Sequence, residues 1–236
     1  MNFIRTEFGV AVERDGGEPL QIRHIIGVGR NYADHAQEMG ADRPERPMLF
    51  SKNPFAACLP NDDIVIPKIC QDREQVDFEG ELAVIIGEPC RDVSEAEALG
   101  AVLGYCCAND VSARWWQKEG SGGQFNRGKG FDTFCPLGPR VTPTSDVPDP
   151  QSLELVTRLN GEGMQRSSTS LMMFPVATLV AEISRGTTLL PGTVILTGTP
   201  SGVGFARTPQ VFLKGGDVVE VEISGLGTLT SRVREE

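Results

Sequence analysis

The chain has 236 residues, of which 39% are hydrophobic and 23% charged, a composition expected for one large or two small globular domains. Its net charge of −10 comes from 22 basic and 32 acidic residues without a basic stripe, which argues against nucleic acid or an anionic membrane as a partner. No apolar run approaches the ~20 residues that cross a bilayer, and the N-terminus lacks the apolar segment of a signal peptide, so we expect a cytoplasmic protein.

The chain begins with an alternating, charged stretch over residues 1–22, which predicts an N-terminal strand or arm. Further short runs, alternating or apolar and bounded by turn residues, predict a β-rich fold. The predicted strands cover residues 8–13, 22–29, 63–67, 82–86, 101–108, 152–159, 193–197, 217–223 and 228–233. The Asn-Gly pair within Leu159–Glu162 is typical of a tight hairpin turn.

Helices are few in the prediction, and they do not alternate regularly with the strands, which excludes a Rossmann or TIM-barrel pattern. The strongest has proline in its first turn, apolar residues at helical spacing and Gly186 after its end. The predicted helices are Asn31–Met39, Ser94–Leu99, Val111–Lys118 and Pro175–Arg185.

The segment QVDFEGELAVIIG places Asp77, Glu79 and Glu81 two residues apart, ahead of an apolar run that reads as a buried strand. In an extended chain all three carboxylates share one face, where they repel each other unless a cation compensates them. They could bind a hard divalent cation such as Mg²⁺, Mn²⁺ or Ca²⁺, or they could be solvated acids on an exposed strand edge. The residues alone leave these interpretations nearly equal.

Asp110 follows the next predicted strand and precedes a predicted helix. It could cap that helix, or it could be a third oxygen ligand beside Glu79 and Glu81, which we favour. Arg114 and Gln117 would share a helical face with Asp110. Arg114 could bind a carboxylate of a ligand, or it could pair with a nearby acid such as Asp110.

His35 and Glu38 lie three residues apart in a predicted helix and can hydrogen-bond. A carboxylate that orients an imidazole makes it a general base for water, although such a pair is more often a weak surface contact.

Lys129 lies between two glycines, which leave its ammonium unshielded at a candidate anionic site or simply in a polar turn. The glycine-rich turn after the strand at residues 193–197 exposes backbone N–H groups and the Thr199 hydroxyl, an arrangement suited to a carboxylate.

The six cysteines form no C-x-x-C pair, and only two histidines are present, so a Cys/His zinc site is not expected. We expect these cysteines to be buried thiols.

Six motifs in order, GRNYADH-x-x-E, DFEGELAVIIG, NDVSAR-x-x-Q, GKGFDTFCP, LNGE-x-x-Q and ILTGTP-x-GVG, make the chain resemble the fumarylacetoacetate hydrolase family from about residue 23 onward. The resemblance implies a mixed, β-rich α+β fold like the β-roll of that family's C-terminal domain, with few short helices. It also implies a single catalytic domain over residues 1–236 and assembly as a homodimer.

The resemblance further implies a role for each matching residue. Glu79, Glu81 and Asp110 match divalent metal ligands, usually for Mg²⁺ with Mn²⁺ or Ca²⁺ as substitutes, while Asp77 matches a supporting acid. The expected catalytic residues are the water-activating pair His35 and Glu38, and Lys129, which stabilises developing negative charge. The expected substrate-binding residues are Arg30, Arg114, Gln117 and Thr199.

The activity expected from this resemblance is metal-dependent hydrolysis of a carbon–carbon bond in a small 2-oxo or 1,3-dioxo carboxylate such as an acylpyruvate or fumarylpyruvate. The same site could instead decarboxylate oxaloacetate or isomerise an unsaturated dicarboxylate by keto–enol exchange. An alternative of another class is a non-catalytic β-domain that a metal stabilises. The glycine-rich loop Glu119–Gly123 and the pair Trp115–Trp116 depart from many relatives beside the expected pocket, which bears on the substrate rather than the family.

Overall fold

The computed structural model describes residues 1–14, 16–40 and 44–236. The strands are β1 (Phe3–Thr6), β2 (Gly9–Val12), β3 (Leu20–Gln21), β4 (His24–Gly29), β5 (Met48–Lys52), β6 (Ala57–Cys58), β7 (Ile64–Ile66), β8 (Val76–Asp77), β9 (Gly80–Ile86), β10 (Val102–Asn109), β11 (Ser112–Ala113), β12 (Cys135–Pro143), β13 (Glu154–Leu159), β14 (Glu162–Ser168), β15 (Thr193–Leu196), β16 (Val218–Ile223) and β17 (Gly227–Glu235). The helices are α1 (Ala33–Glu38), α2 (Glu95–Ala98), α3 (Arg114–Gln117), α4 (Phe125–Lys129) and α5 (Val176–Ser184).

Two larger sheets form the body of the molecule, which confirms the predicted β-rich α+β fold with short helices. The first is mixed and has the strand order β5-β4-β15-β9-β10-β12-β6; the second has the order β14-β13-β16-β17-β7. A small sheet β1-β2-β3 and the pair β8-β11 complete the architecture. The central position of β9 and β10 in the first sheet places the candidate ligands well inside the protein.

Strand β9 is buried on both faces, which explains its continuous apolar sequence. Leu82, Val84 and Ile86 belong to the core cluster that includes residues of the second sheet and of α5. Ala83 and Ile85 belong to the cluster on the opposite face, which includes residues of β2. The alternation expected of a strand therefore divides this run between two cores.

Helix α5 confirms the strongest helix prediction, and its apolar residues Val176, Leu179, Val180 and Ile183 are buried. Helices α1 and α2 lie inside their predicted ranges, and Ser94 with Glu97 forms a capping box at the start of α2.

The predicted helix over Val111–Lys118 is wrong in its first half. Ser112 and Ala113 form strand β11 instead, because they pair antiparallel with Asp77 and Val76 of β8. Only Arg114–Gln117 is helical. Helix α4 was not predicted, since the glycines around Lys129 favour a turn.

The hairpin between β13 and β14 turns at Asn160 and Gly161, as predicted, with φ values of 53° and 81°. Both residues have the left-handed conformation of a tight turn. All six cysteines are buried thiols without disulfides. Among the described residues, no helix is both long and apolar enough to cross a membrane.

Candidate metal centre

Glu79, Glu81 and Asp110, here called the acidic trio, each offer one carboxylate oxygen to a cluster in which these atoms lie within 4.8 Å of one another. All three residues are buried, with 5%, 1% and 0% exposure. The antiparallel register of β9 and β10 pairs Glu81 with Ala108, and just beyond it the Asp110 N–H donates to the Glu79 carbonyl at 2.8 Å. Sheet pairing thus brings together residues about thirty positions apart in the chain.

Asp110 is not a helix cap, because α3 begins at Arg114 and has Ala113 as its N-cap. The capping interpretation of Asp110 is therefore wrong. Arg114 does not pair with Asp110 either; its guanidinium contacts Asp77 and Glu79.

Asp77 has no oxygen to spare for a metal. Its Oδ1 accepts the N–H groups of Phe78 and Gly204 at 2.9 and 2.8 Å. Its Oδ2 accepts two hydrogen bonds from Arg114, at 2.8 and 2.6 Å, and one from the Phe205 N–H at 3.0 Å. Five donors therefore fix this carboxylate, and it in turn fixes the guanidinium of Arg114.

Lys129 lies against two members of the acidic trio. Its ammonium donates to Glu79 Oε2 at 2.7 Å, Asp110 Oδ2 at 2.6 Å and Ser112 Oγ at 2.7 Å, which uses all three of its hydrogens. Gly128 makes this approach possible, because a Cβ there would overlap the backbone of Gln117 in α3. Burial acts to lower the pKa of Lys129, but the charges of Asp110 and Glu79 raise it above its usual value.

Lys52 is a second buried ammonium, and the sequence analysis did not identify it. It pairs with Asp110 Oδ1 and donates to the Phe134 carbonyl at 2.8 Å. Its side chain is completely buried. A lysine at the end of strand β5, which begins with three apolar residues, was the available signal, because a buried lysine is rare without a partner.

Glu79 and Glu81 have different electrostatic surroundings. Burial acts to raise the pKa of Glu79, but Lys129 and Arg114 hold it well below its usual range. For Glu81, burial and then the charges of Asp110 and Glu79 raise the pKa well above its usual value. Among the described residues no cation pairs with Glu81, and its one hydrogen bond comes from the Gly198 N–H at 2.7 Å.

The acidic trio fits a hard divalent cation. Its donors are all carboxylate oxygens, which suit Mg²⁺, Mn²⁺ or Ca²⁺ rather than a soft metal. With Asp77 the site holds four carboxylates, and Lys52, Arg114 and Lys129 form ion pairs with three of them, Asp77, Glu79 and Asp110. Glu81 has no such pair among the described residues, so an additional cation would compensate it.

His35 and Glu38 come together as predicted, with 3.2 Å between Nδ1 and Oε2. The other carboxylate oxygen of Glu38 accepts the Gly202 N–H at 2.9 Å, which ties α1 to the glycine-rich turn after β15. His35 is 6% exposed and lines the same cavity as Glu79 and Glu81. His35 is therefore buried at the site, whereas Glu38 is exposed and is held in place by its hydrogen bonds to His35 and to the Gly202 N–H.

A cavity of about 190 Å³ opens onto the acidic residues. Its polar lining includes Glu79, Glu81, His35, Lys129 and all four expected substrate-binding residues, Arg30, Arg114, Gln117 and Thr199. Its apolar wall is formed by Phe50, Phe125, Met39, Met48 and Val28. Trp115 and Trp116 are not among the described residues that line it.

Two cations stand at this cavity without an ion pair among the described residues. Arg30 has a φ of 58°, an uncommon backbone conformation for arginine. The Lys118 ammonium lies 3.9 Å from the centre of the Phe205 ring. Lys118 was not predicted as a site residue, because nothing in its local sequence pattern distinguishes it from a surface lysine.

A family model described as fumarylacetoacetate (FAA) hydrolase C-terminal matches residues 24–234. A curated relative from Burkholderia multivorans, which bears a provisional hydrolase name and no stated substrate, is 50% identical over 208 residues, covering 88% of this chain and 72% of the relative.

Solved structures that resemble the whole chain include an isomerase and a hydrolase. The 5-carboxymethyl-2-hydroxymuconate delta-isomerase of Mycobacterium smegmatis has a TM-score of 0.81 and 41% identity, with 100% of this chain and 98% of that chain covered. The fumarylpyruvate hydrolase of Pseudomonas aeruginosa, solved with Mn²⁺ and pyruvate, has a TM-score of 0.86 and 31% identity, with 99% of each chain covered. These relatives include both a hydrolase and an isomerase.

Proposed function

The chain belongs to the fumarylacetoacetate hydrolase family, and on that basis we propose that it is a divalent-metal-dependent hydrolase. Its proposed reaction is cleavage of a carbon–carbon bond in a small 2-oxo or 1,3-dioxo carboxylate of the acylpyruvate or fumarylpyruvate kind. The observation that carries the proposal is a single cavity lined both by the ligand candidates Glu79 and Glu81 and by His35, which is hydrogen-bonded to Glu38.

Glu79, Glu81 and Asp110 would hold the metal, with Mg²⁺ as the proposed physiological ion. When bound, such a cation supplies Lewis-acid polarisation of the substrate oxygens. It would also add positive charge beside Glu81, which pairs with no cation among the described residues. Together with Arg30 and Lys118 at the cavity, this charge favours an anionic substrate in a protein whose net charge is −10.

His35 is the proposed general base. With its Nδ1 hydrogen donated to Glu38, the Nε2 atom is free to take a proton from water. The water oxygen then bonds to the distal carbonyl carbon, and the bond between that carbon and its neighbour breaks. The electron pair goes to the carbon beside the 2-oxo group, which receives a proton to complete the product.

Lys129 is the proposed stabiliser of the negative charge that develops during cleavage. Its ammonium is held at the cavity by Glu79 and Asp110 and is therefore already oriented before substrate binds.

Arg30, Arg114, Gln117 and Thr199 are proposed to orient substrate oxygens. Most Arg114 donors are already engaged by Asp77, Glu79 and Gln117, so it has little free capacity for substrate.

The test is a screen of metal-depleted protein, with and without added Mg²⁺ or Mn²⁺, against acylpyruvates, oxaloacetate and ring-cleavage dicarboxylates. Metal-dependent release of pyruvate together with a second carboxylic acid would support the proposal. A rise in thermal stability with metal but no turnover of any 2-oxo acid would favour the non-catalytic β-domain instead.

A second candidate function at the same site is isomerisation or decarboxylation. The 41% identity to a hydroxymuconate isomerase over the whole chain favours isomerisation. These reactions consume no water, so they would not need His35 to activate one. Product analysis separates them, because an isomer or CO₂ would appear in place of two acids.

We also propose that residues 1–236 work as one catalytic domain within a homodimer. Sedimentation velocity over a range of protein concentrations measures the assembly state directly, and a monomer at all concentrations would refute the dimer.

A further inference from the structure

The motif LNGE-x-x-Q forms the hairpin turn between β13 and β14, and its last residue reaches the candidate metal centre. Gln165 lies on β14, in the second sheet, and is 2% exposed. Its side chain crosses to the first sheet, where it contacts Gly80 and Thr199. Gly80 separates the proposed ligands Glu79 and Glu81, so this contact falls at the centre of the site.

The backbone around Gly80 depends on side chains for its hydrogen bonds. The break between β8 and β9 takes three successive N–H groups out of the regular ladder. Asp77 accepts the Phe78 N–H at 2.9 Å, and Asn109 accepts the Glu79 N–H at 2.9 Å. Gln165 Oε1 accepts the Gly80 N–H at 3.0 Å. Buried N–H groups require such partners, so these side chains define the course of the ligand-bearing segment.

The contacts of Gln165 settle the orientation of its amide. Oε1 must face the Gly80 N–H, which only donates. Nε2 must face the Pro200 carbonyl, which only accepts, at 2.9 Å. The second hydrogen of Nε2 is therefore donated to Thr199 Oγ1 at 2.7 Å.

This orientation determines how the Thr199 hydroxyl is used. The hydroxyl accepts from Gln165 and donates its own hydrogen to the Gly80 carbonyl at 2.9 Å. A hydroxyl has one hydrogen and two lone pairs, so a single lone pair remains for a ligand in the cavity. The Thr199 hydroxyl therefore presents an acceptor, which suits an O–H group such as that of an enol.

We propose that Gln165 is a positioning residue that holds the Glu79–Glu81 segment and fixes the Thr199 hydroxyl as an acceptor towards the substrate. The inference rests on the proposed function, since it concerns the same metal and the same cavity. Its physical basis is a closed ring of hydrogen bonds that begins and ends on Gly80 and passes through Gln165 and Thr199.

The first test is Mn²⁺ affinity measured by calorimetry on metal-depleted protein. Gln165→Met keeps the size of the side chain but removes its hydrogen bonds, and we expect Mn²⁺ binding to weaken by about 10- to 100-fold, the usual effect of losing an outer-shell partner. Gln151→Met is the matched control. Gln151 also bridges chain segments through its amide, to Thr169 and Val176, but it does not line the cavity.

The second test is a double-mutant cycle on kcat/KM. If Gln165 acts through Thr199, Gln165→Met and Thr199→Val together should lower kcat/KM little more than the worse single change does. Gln151→Met and Thr199→Val should instead have additive effects.

If Gln165→Met fails to fold, Gln165→Glu replaces it, because it keeps an acceptor for Gly80 but loses the donors to Thr199 and Pro200. We then expect kcat/KM to fall at least about tenfold. The melting temperature should also fall, because the new carboxylate is buried without a compensating charge, so the rates are measured well below that temperature.

The outcomes separate this inference from the proposed function. Wild-type Mn²⁺ affinity and additive kinetics in the Gln165 variants would overturn the positioning role even in an active enzyme. A wild-type protein without turnover would refute the proposed hydrolase, while the Mn²⁺ comparison between Gln165→Met and Gln151→Met would still decide the positioning role.

Discussion

Glu79 and Asp110 already contact side-chain cations, whereas Glu81 pairs with none among the described residues. A buried carboxylate without a compensating charge is costly to the folded state. The three members of the acidic trio should therefore respond differently to loss of charge, although all are proposed to bind the same ion.

We predict opposite stability effects for the matched substitutions Glu79→Gln and Glu81→Gln in metal-free protein. Glu79→Gln leaves Lys129 and Arg114 short of a partner, which typically costs about 3–5 kcal/mol. Glu81→Gln removes an unpaired charge and keeps an oxygen for the Gly198 N–H, so it should be at least as stable as the wild type. Thermal melting of chelator-treated protein measures both, and equal losses would contradict this account of the charges.

For His35, we predict that His35→Ala abolishes hydrolysis but spares any decarboxylation of oxaloacetate, because only the former needs an activated water. Rates should be measured on both reactions with the metal saturating. His24→Ala is the control, since His24 is the only other histidine and its ring lies at the exposed end of β4, against Ser51. Unchanged hydrolysis in His35→Ala would rule out its role as base.

At the scale of elements, strand β13 of the second sheet packs directly behind the start of β9. A Cβ added to Gly80 would overlap the Thr157 hydroxyl, which is buried without a hydrogen-bond partner among the described residues. The close approach of the two sheets therefore requires glycine between the two glutamates of the motif.

We predict that Gly80→Ala destabilises the protein by about 1–3 kcal/mol, the usual cost of overpacking, and weakens metal binding by displacing β9. Adding Thr157→Ala should restore much of the loss, because it removes the overlapping hydroxyl. Gly163→Ala on β14 is the control, as its Cβ would meet nothing within 4 Å. Calorimetric melting and Mn²⁺ titration measure these effects, and failure of the rescue would show that the overlap is not the cause.

At the scale of the whole molecule, an ion that binds only the folded acidic trio should stabilise the fold by mass action. At a free Mn²⁺ concentration 100 times its Kd, we predict about 2.7 kcal/mol of stabilisation, or about 5–11 °C in Tm for a chain of this size. Excess chelator should reverse the shift, and Glu81→Gln should lose it. A melting temperature independent of Mn²⁺ would contradict the proposed site.

Much of the secondary structure of this protein follows from its local sequence. The Asn160–Gly161 turn, the capping box of α2, the apolar face of α5 and the buried run of β9 each depend on neighbouring residues, so their patterns are visible in the chain itself. The spacing of Asp77, Glu79 and Glu81 likewise predicted carboxylates on one face of a strand, and left a metal site and a solvated edge nearly equal. The ordered motifs then identified the family, which the comparisons confirm.

The tertiary structure decided which distant groups meet. Antiparallel pairing of β9 with β10 placed Asp110 beside Glu79, and pairing of β8 with β11 replaced the predicted helix at Ser112 with a strand. Lys52 and Gln165 reach the site from other strands, because sheet register and packing between sheets act over separations of many residues. No local sequence pattern encodes such contacts. That Glu81 pairs with no cation among the described residues could therefore be seen only in the tertiary structure.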